Sequence, residues 1–245
     1  MSAVYDTIGK GYADYRKPDP RIAAAIETAL GDARTVINIG AGTGSYESPR
    51  RAITPVEPSA TMIAQRPAGV AKAIQGSAEH LPFPDKHFDA ATAFLTTHHW
   101  TDLEAGLREM KRVTRGPCVF FDQDGATHDF WLIDYFAEAR PYMRPLLNME
   151  TARAVFGDLR IVPIPIPWDC TDGFLCAYWR RPERYLEAGA RGAISFFSLI
   201  DDPEPALARL KQDLADGTWA KRYGTLLGET QKDFGYRLVV AQAGR

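Results

Sequence analysis

The stretch from Val36 to Tyr46, VINIGAGTGSY, sets Gly40, Gly42 and Gly44 at alternate positions directly after an apolar run. Glycines in such a turn let the backbone bend tightly and let a ligand approach without Cβ interference. The spacing is Gly-x-Gly-x-Gly, so the Gly-x-Gly-x-x-Gly fingerprint of dinucleotide binders is not met. The next apolar run, AITPVE, ends in Glu57, and a carboxylate at a strand end can accept hydrogen bonds from both hydroxyls of a ribose. The run after that ends in Gly76-Ser77-Ala78-Glu79, ahead of LPFPDKHFD. A polar side chain and a free backbone amide there can read the edge of an adenine. A fourth run leads into FLTTHHW and sets His98 and His99 just past its end, where an imidazole titrates in a range useful for moving a proton.

These groups need a scaffold that brings strand ends together. Apolar, β-branched runs alternate with helical stretches, which is the pattern of a mostly parallel sheet wrapped by helices. Strands are predicted at Thr35–Gly40, Ala52–Glu57, Ala73–Ala78, Phe88–Thr96, Cys118–Asp122, Arg160–Ile166 and Tyr236–Ala241. Pro20–Leu30 reads as a helix with Ile22, Ala25, Ile26, Ala29 and Leu30 on one face. Thr101 is the expected N-cap of a helix to Val113, with Leu103, Leu107 and Met110 as its buried stripe. Phe130–Arg140 and Leu146–Phe156 read as helical as well. Residues 169–227 leave this alternation, being helical and dense in aromatics such as Phe174, Tyr178, Trp179, Tyr185, Phe196, Phe197, Trp219 and Tyr223. They read as an insertion between the last two strands, packed over one edge of the sheet as a lid or as a small accessory core. The core is then residues 1–168 and 228–245, within a single structural domain.

Composition sets bounds on partners. The 245 residues carry 29 Lys and Arg against 31 Asp and Glu, a formal net charge of −2. That balance argues against nucleic acid, whose binders gather a Lys/Arg excess. No apolar run approaches the ~20 residues that cross a bilayer, and the polar N-terminus holds no signal-peptide core. Cys118, Cys170 and Cys176 are odd in number and lack metal-ligand spacing, which points to reduced thiols in a cytoplasmic protein with no metal site. Oligomeric state is not legible.

The segments VINIGAGTG, VEPSATM and QGSAEHLPFPDKHFDAATAF resemble successive motifs of the class I S-adenosylmethionine-dependent methyltransferases, in the branch of the ubiquinone-biosynthesis-type enzymes. The likeness runs from Tyr5 to Asp124. It implies a doubly wound, Rossmann-like α/β sheet of seven strands, the last one antiparallel, with S-adenosylmethionine lying across the strand ends. By position, Gly40, Ala41, Gly42 and Gly44 would pack beside its methionine and ribose parts, and Glu57 would hold the ribose hydroxyls. Pro58 and Met62 would lie on the adenine face; Ser77, Ala78 and Glu79 would meet its edge. Tyr5, Tyr12 and Arg16 fall in the stretch that closes over the cofactor in similar proteins, where Arg16 could pair with the methionine carboxylate. Leu95 belongs to the strand end that faces the methyl group. Two positions depart from the pattern: Asn38 stands where an acidic residue is usual, and Ser77 where Asp is common.

Methyl transfer from a sulfonium is an in-line displacement, so the protein's main task is to align the acceptor and exclude water. A general base is needed only for a poor nucleophile such as a hydroxyl, and His98, with His99 beside it, is the candidate. Asp122 and Asp124 are expected to be solvated turn carboxylates. A small acceptor, aromatic or isoprenoid-like, fits the aromatic insertion. Two alternatives stay open: an NAD(P)-dependent oxidoreductase, which shares the glycine turn and ribose carboxylate, and a cofactor-binding protein without transferase activity.

Overall fold

The computed structural model describes residues 12–125 and 130–244; Tyr5 and His128 lie outside them. Seven strands form one sheet: β1 (Thr35–Ile39), β2 (Ala52–Glu57), β3 (Ile74–Gln75), β4 (Ala90–Phe94), β5 (Pro117–Gln123), β6 (Leu159–Pro163) and β9 (Tyr236–Gln242). The order is β3-β2-β1-β4-β5-β9-β6. Strands β1 to β5 pair in parallel, and β9 runs antiparallel to both β5 and β6. This is the doubly wound α/β sheet expected from the sequence, with the reversed last strand.

Both faces are covered because each central strand is apolar on both sides. On one face, Val36, Val119, Phe121, Leu238 and Val240 pack with Ile22, Ile26 and Leu30 of helix α2 (Pro20–Leu30). On the other, Ile37, Ile39, Ala91, Phe120 and Val239 meet Leu107, Met110 and Val113 of helix α4 (Leu103–Val113) and Val155 of helix α6 (Met149–Phe156). Helix α2 starts at Asp19, whose carboxylate accepts the Arg21 N–H, with Pro20 in its first turn.

Several boundaries shift for identifiable reasons. The third strand shrinks to Ile74–Gln75, an exposed edge pair bonded only to Val56 and Glu57. The fourth ends at Phe94, because Leu95 takes φ +50°. The Arg160–Ile166 run breaks after Pro163, and Ile166–Pro167 (β7) pairs instead with Gln231–Lys232 (β8) in a separate two-stranded sheet. Asp102 caps α4, not Thr101: its carboxylate accepts the Ala105 N–H, whereas the Thr101 N–H is taken by Glu79 from across the cleft. Asn148 starts the α6 helix at Met149, later than Leu146.

Residues 169–227 pack on the first face of the sheet and also supply walls of a cavity at its strand ends. Trp179, Tyr185, Phe196 and Trp219 share one apolar cluster with α2 and the strand residues of the first face, so the aromatics fill a core that is continuous with the sheet. Trp131 donates its indole N–H to the Trp179 carbonyl at 2.8 Å, and Trp179 reaches back to Ile166 at 3.1 Å. Phe174 and Phe196 also line the cavity, of about 430 Å³.

Candidate functional site

The cleft opens where β1, β2 and β4 end, outside the carboxyl ends of parallel strands. Gly40 turns the chain with φ +69°, and its N–H and that of Ala41 both donate to the Val56 carbonyl, at 2.9 and 3.0 Å. A Cβ at Gly40 would overlap the Thr96 hydroxyl, so glycine is required here by close approach as well as by conformation. Glu57 is buried at the end of β2 and faces the turn. One carboxylate oxygen accepts the Gly42 N–H at 2.8 Å and the other the Ser59 N–H at 2.9 Å. Two acceptors with four lone-pair positions leave capacity for further donors at the same carboxylate.

Tyr12, Arg16, Asn38, Gly40, Ala41, Gly42, Glu57, Pro58, Met62, Ser77, Ala78, Glu79, Leu95 and His99 all line this cavity of about 300 Å³. Gly44 is not on its wall; its Cβ position faces Arg66 and Glu47. Those two residues went unnoticed in the sequence, and they explain Asn38. The Asn38 amide donates to Glu47 at 3.0 Å and its oxygen accepts from the Thr92 hydroxyl at 3.1 Å, while Arg66 closes an ion pair with Glu47 at 2.5 Å. Arg66 also donates to the Gly42 carbonyl at 3.2 Å. An acid therefore stands beside Asn38, already neutralised, and the pair clamps the glycine turn from behind.

The opposite rim is braced by Glu79. Its carboxylate accepts the N–H groups of Thr101 at 2.8 Å and Asp102 at 3.2 Å. Burial works against the charge, but these amide donors and the Ser77 hydroxyl outweigh it and hold the acid below the usual carboxylate range. Over the top, Arg16 pairs with the fully buried Asp172 at 2.5 Å and bonds the Tyr12 hydroxyl at 2.5 Å. Asp172 also accepts from Tyr46 at 2.9 Å. This knot joins the N-terminal segment to the insertion, and nothing in the local sequence marked Asp172 or Tyr46.

A second cavity, of about 430 Å³, shares Arg16, Leu95 and Trp100 as wall with the first. Leu95 holds positive φ between the two and donates its N–H to the Phe121 carbonyl at 2.8 Å, a strained conformation for a side chain of its size. Trp100 lies flat against Gly106, where a Cβ would come within 2.5 Å of the indole. His98 lines the second cavity and His99 the first, with ring centroids 3.8 Å apart. Both imidazoles are exposed at the cavity mouths, yet partial desolvation, joined for His98 by the neighbouring His99, pushes His98 down to about 3 and His99 to about 4. Both rings still face open cavity space, and water there moderates that depression.

The turn that carries the histidines, Thr97–His99, rests on Asp122. Asp122 is not a solvated turn acid: it is buried, and burial pushes it up to about 7 despite hydrogen bonds from Thr97 and the Gln123 amide. The spacing suits a proton on the carboxyl, with Asp122 to Thr97 at 2.5 Å and Thr97 onward to the Leu146 carbonyl at 3.0 Å. Asp124 pairs with Arg237 at 2.7 Å. The three cysteines are buried free thiols, Cys118 being pushed up to about 12 by burial, which leaves no thiolate nucleophile.

Comparison with known proteins decides the class. Residues 37–121 match the family described as "Methyltransferase domain". A crystal structure from Anabaena variabilis, named as a methyltransferase of an antibiotic biosynthesis pathway, superposes with a TM-score of 0.85 at 32% identity, over 93% of this chain and 98% of that one. The chain belongs to this methyltransferase family. S-adenosylmethionine is the family's cofactor. A chloroplastic 2-methyl-6-phytyl-1,4-hydroquinone methyltransferase of Spinacia oleracea is 30% identical over 155 residues, 56% of this chain and 43% of that protein. An uncharacterized methyltransferase of Bacillus subtilis, YcgJ, is 38% identical over 74 residues, 30% of this chain and 25% of that protein. The chain thus spans less than half the length of these curated relatives.

Proposed function

We propose that this methyltransferase uses S-adenosylmethionine to methylate a small molecule, with donor and acceptor in the two cavities that meet at Leu95 and Trp100. That shared wall carries the reading: a cleft built on a glycine turn opens beside a second chamber, and a methyl group has only a short distance to cross. The residues suit the cofactor. The Gly40–Gly42 turn contributes to the cleft wall, Glu57 keeps acceptor capacity for ribose hydroxyls, and Met62 and Ala78 offer apolar contact to a base. Tyr12 and Arg16 would close over the methionine end, and Ser77 and Glu79 would face the adenine edge. When bound, the sulfonium supplies an activated methyl group and departs as the thioether with the bonding electron pair.

The chain's own work is then alignment and exclusion of water. Leu95 and Trp100 form a rigid window, fixed by the Phe121 carbonyl and by the Gly106 contact. His98 faces the acceptor cavity as a neutral imidazole; pushed down to about 3 it is a weak base in the free protein, so accepting a proton from a hydroxyl acceptor requires the bound complex to raise it. Arg16, tied to Asp172, links closure of the N-terminal segment to the insertion.

The apolar chamber supports an aromatic or isoprenoid-like acceptor, and the spinach relative acts, by its name, on a hydroquinone with a phytyl chain. Membership of the ubiquinone-type branch is part of the same proposal. No described helix is long and apolar enough to cross a membrane, and the net charge of −2 argues against nucleic acid, so a cytoplasmic pool of small metabolites is the proposed setting. The test is calorimetry with S-adenosylhomocysteine and with NAD, followed by transfer of labelled methyl from S-adenosylmethionine to a panel of phenols and isoprenoids. Tight binding of the first ligand and none of NAD is expected; the reverse pattern would overturn the reading.

A further inference from the structure

The second cavity has a chemical bias of its own. Its walls are Met143 and Leu146 on one side and Phe174, Ile194, Phe196 and Leu199 of the insertion on the other. No carboxylate lines it among the described residues. Three basic groups do: Arg16, His98 and Arg144. Arg16 is neutralised by Asp172, and His98 carries no charge at neutral pH. Arg144 differs. It is exposed at the cavity rim; among the described residues its one hydrogen bond is a long one from Nε to the Pro141 carbonyl, at 3.4 Å, and no acid pairs with it.

The neighbouring polar side chains are engaged elsewhere. Gln123 donates to the Phe234 carbonyl at 3.0 Å and accepts the Gly125 N–H at 3.3 Å. Asn148 accepts the Thr151 N–H at 3.0 Å as the helix cap. Thr97 bonds Asp122 and Leu146. A guanidinium offers five donors in a planar fork that fits a carboxylate or phosphate two bonds at a time. Beside a low-dielectric wall its field is less screened than on an open surface.

We propose that the methyl acceptor is an amphipathic anion, an apolar body bearing a carboxylate or phosphate, and that Arg144 is the residue that binds its charge. This rests on the reading of the glycine-turn cleft as the donor site. The apolar walls hold the body, and the anion sets its orientation and hence which atom reaches the Leu95–Trp100 window.

The test uses the full-length protein saturated with S-adenosylhomocysteine, titrated calorimetrically with 4-phenylbutyrate, 4-phenylbutyl phosphate and 4-phenylbutanol. One or both anions are expected to bind at least tenfold more tightly than the alcohol, and the tighter of the two identifies the anionic group. R144Q should abolish that preference while leaving the alcohol's affinity unchanged, and R144K should keep part of it. Equal affinity for all three probes, absence of binding by the anions, or a preference that survives R144Q overturns the proposal. S-adenosylhomocysteine itself separates the two levels of failure. If wild type does not bind it, the donor-site reading falls and this one with it. If only R144Q loses it, Arg144 serves the donor cleft, and the acceptor proposal alone is wrong.

Discussion

The two cavities that meet at Leu95 and Trp100 are built by different rules. The glycine-turn cleft has strand ends as its fixed points: Gly40 after β1, Glu57 at the end of β2, Leu95 after β4. Parallel pairing of β1 with its neighbours sets those positions to within a residue. The second cavity is made of side chains from separated segments, Thr97–Leu103, Met143–Asn148, Phe174–Leu175, Ile194–Leu199 and Tyr236. Geometry in the first region follows from strand register and hydrogen-bonded backbone, braced by Asn38, Glu47 and Arg66. Geometry in the second follows from packing, so specificity can be altered there without disturbing the donor cleft.

The knot that joins the regions gives the largest predicted effect. Asp172 is fully buried and serves Arg16 and Tyr46 together. Asp172→Asn would leave the Arg16 guanidinium unpaired in a nearly enclosed position, and removing one partner of a buried pair costs about 3–5 kcal/mol. A fall of that size in the unfolding free energy, measured by urea titration, is expected, with weaker cofactor binding in the protein that stays folded. A change under 1 kcal/mol would mean that the two regions are not coupled through this residue.

Glu57→Gln comes next and acts on one region alone. Hydrogen bonds to a charged group contribute roughly 1.5–3 kcal/mol each, and two ribose hydroxyls would be affected. A loss of S-adenosylhomocysteine affinity of about 100-fold follows, with affinity for an acceptor probe in the second cavity unchanged. Equal binding by the variant and the wild type would remove the sugar contact from the donor cleft.

This division also explains what the sequence disclosed. Strand β2 and helix α2 fall on their predicted residues because their signals are local: an apolar run ending in a carboxylate, and an Asp-Pro cap followed by a buried stripe. The cap of α4 moved by one residue because the Asp102 carboxylate accepts the Ala105 N–H of the first turn. Asp122 looked like a turn acid because it ends a strand, and only the fold places Thr97 over it. Arg66 and Glu47, the brace behind the glycines, lie nineteen residues apart and have no motif. The acceptor cavity was foreshadowed only by aromatic density, and most of those aromatics turned out to be core. Met143, Arg144 and Leu199 carried no periodic or motif signal at all.

His98→Gln sharpens the contrast from the acceptor side. A general base typically contributes about 100-fold or more to rate, so turnover of a hydroxyl acceptor should fall by that order while S-adenosylhomocysteine binds as before. The imidazole should also leave a mark on stability. The folded protein holds His98 and His99 near 3 and 4, against 6.5 when unfolded. Between about pH 6.5 and 4 the unfolded chain therefore binds more protons, and stability is lost as pH falls through that window. Replacing both histidines by Gln should flatten this acid slope in a thermal-melting series. A slope unchanged from wild type would show that water in the cavities keeps both rings near their ordinary titration.

Asp122 acts on the pH dependence with the opposite sign. Its folded carboxyl sits near 7 against 3.8 when unfolded, so between those values the folded state binds the extra proton. Its contribution is fully present below about pH 3.8 and is lost as pH rises through 7. Asp122→Asn keeps the shape and the hydrogen bond to Thr97 but removes the titration. The melting temperature of the variant should gain on wild type steadily from pH 4 to 7 and run parallel to it above pH 7.5. In the same series the two histidines stabilise with rising pH while Asp122 destabilises, so the single and combined variants separate the contributions. If Asp122→Asn showed a constant offset at every pH, the carboxyl would be ionised throughout. The proton between it and Thr97, and with it the neutral footing under the histidine turn, would then have to be abandoned.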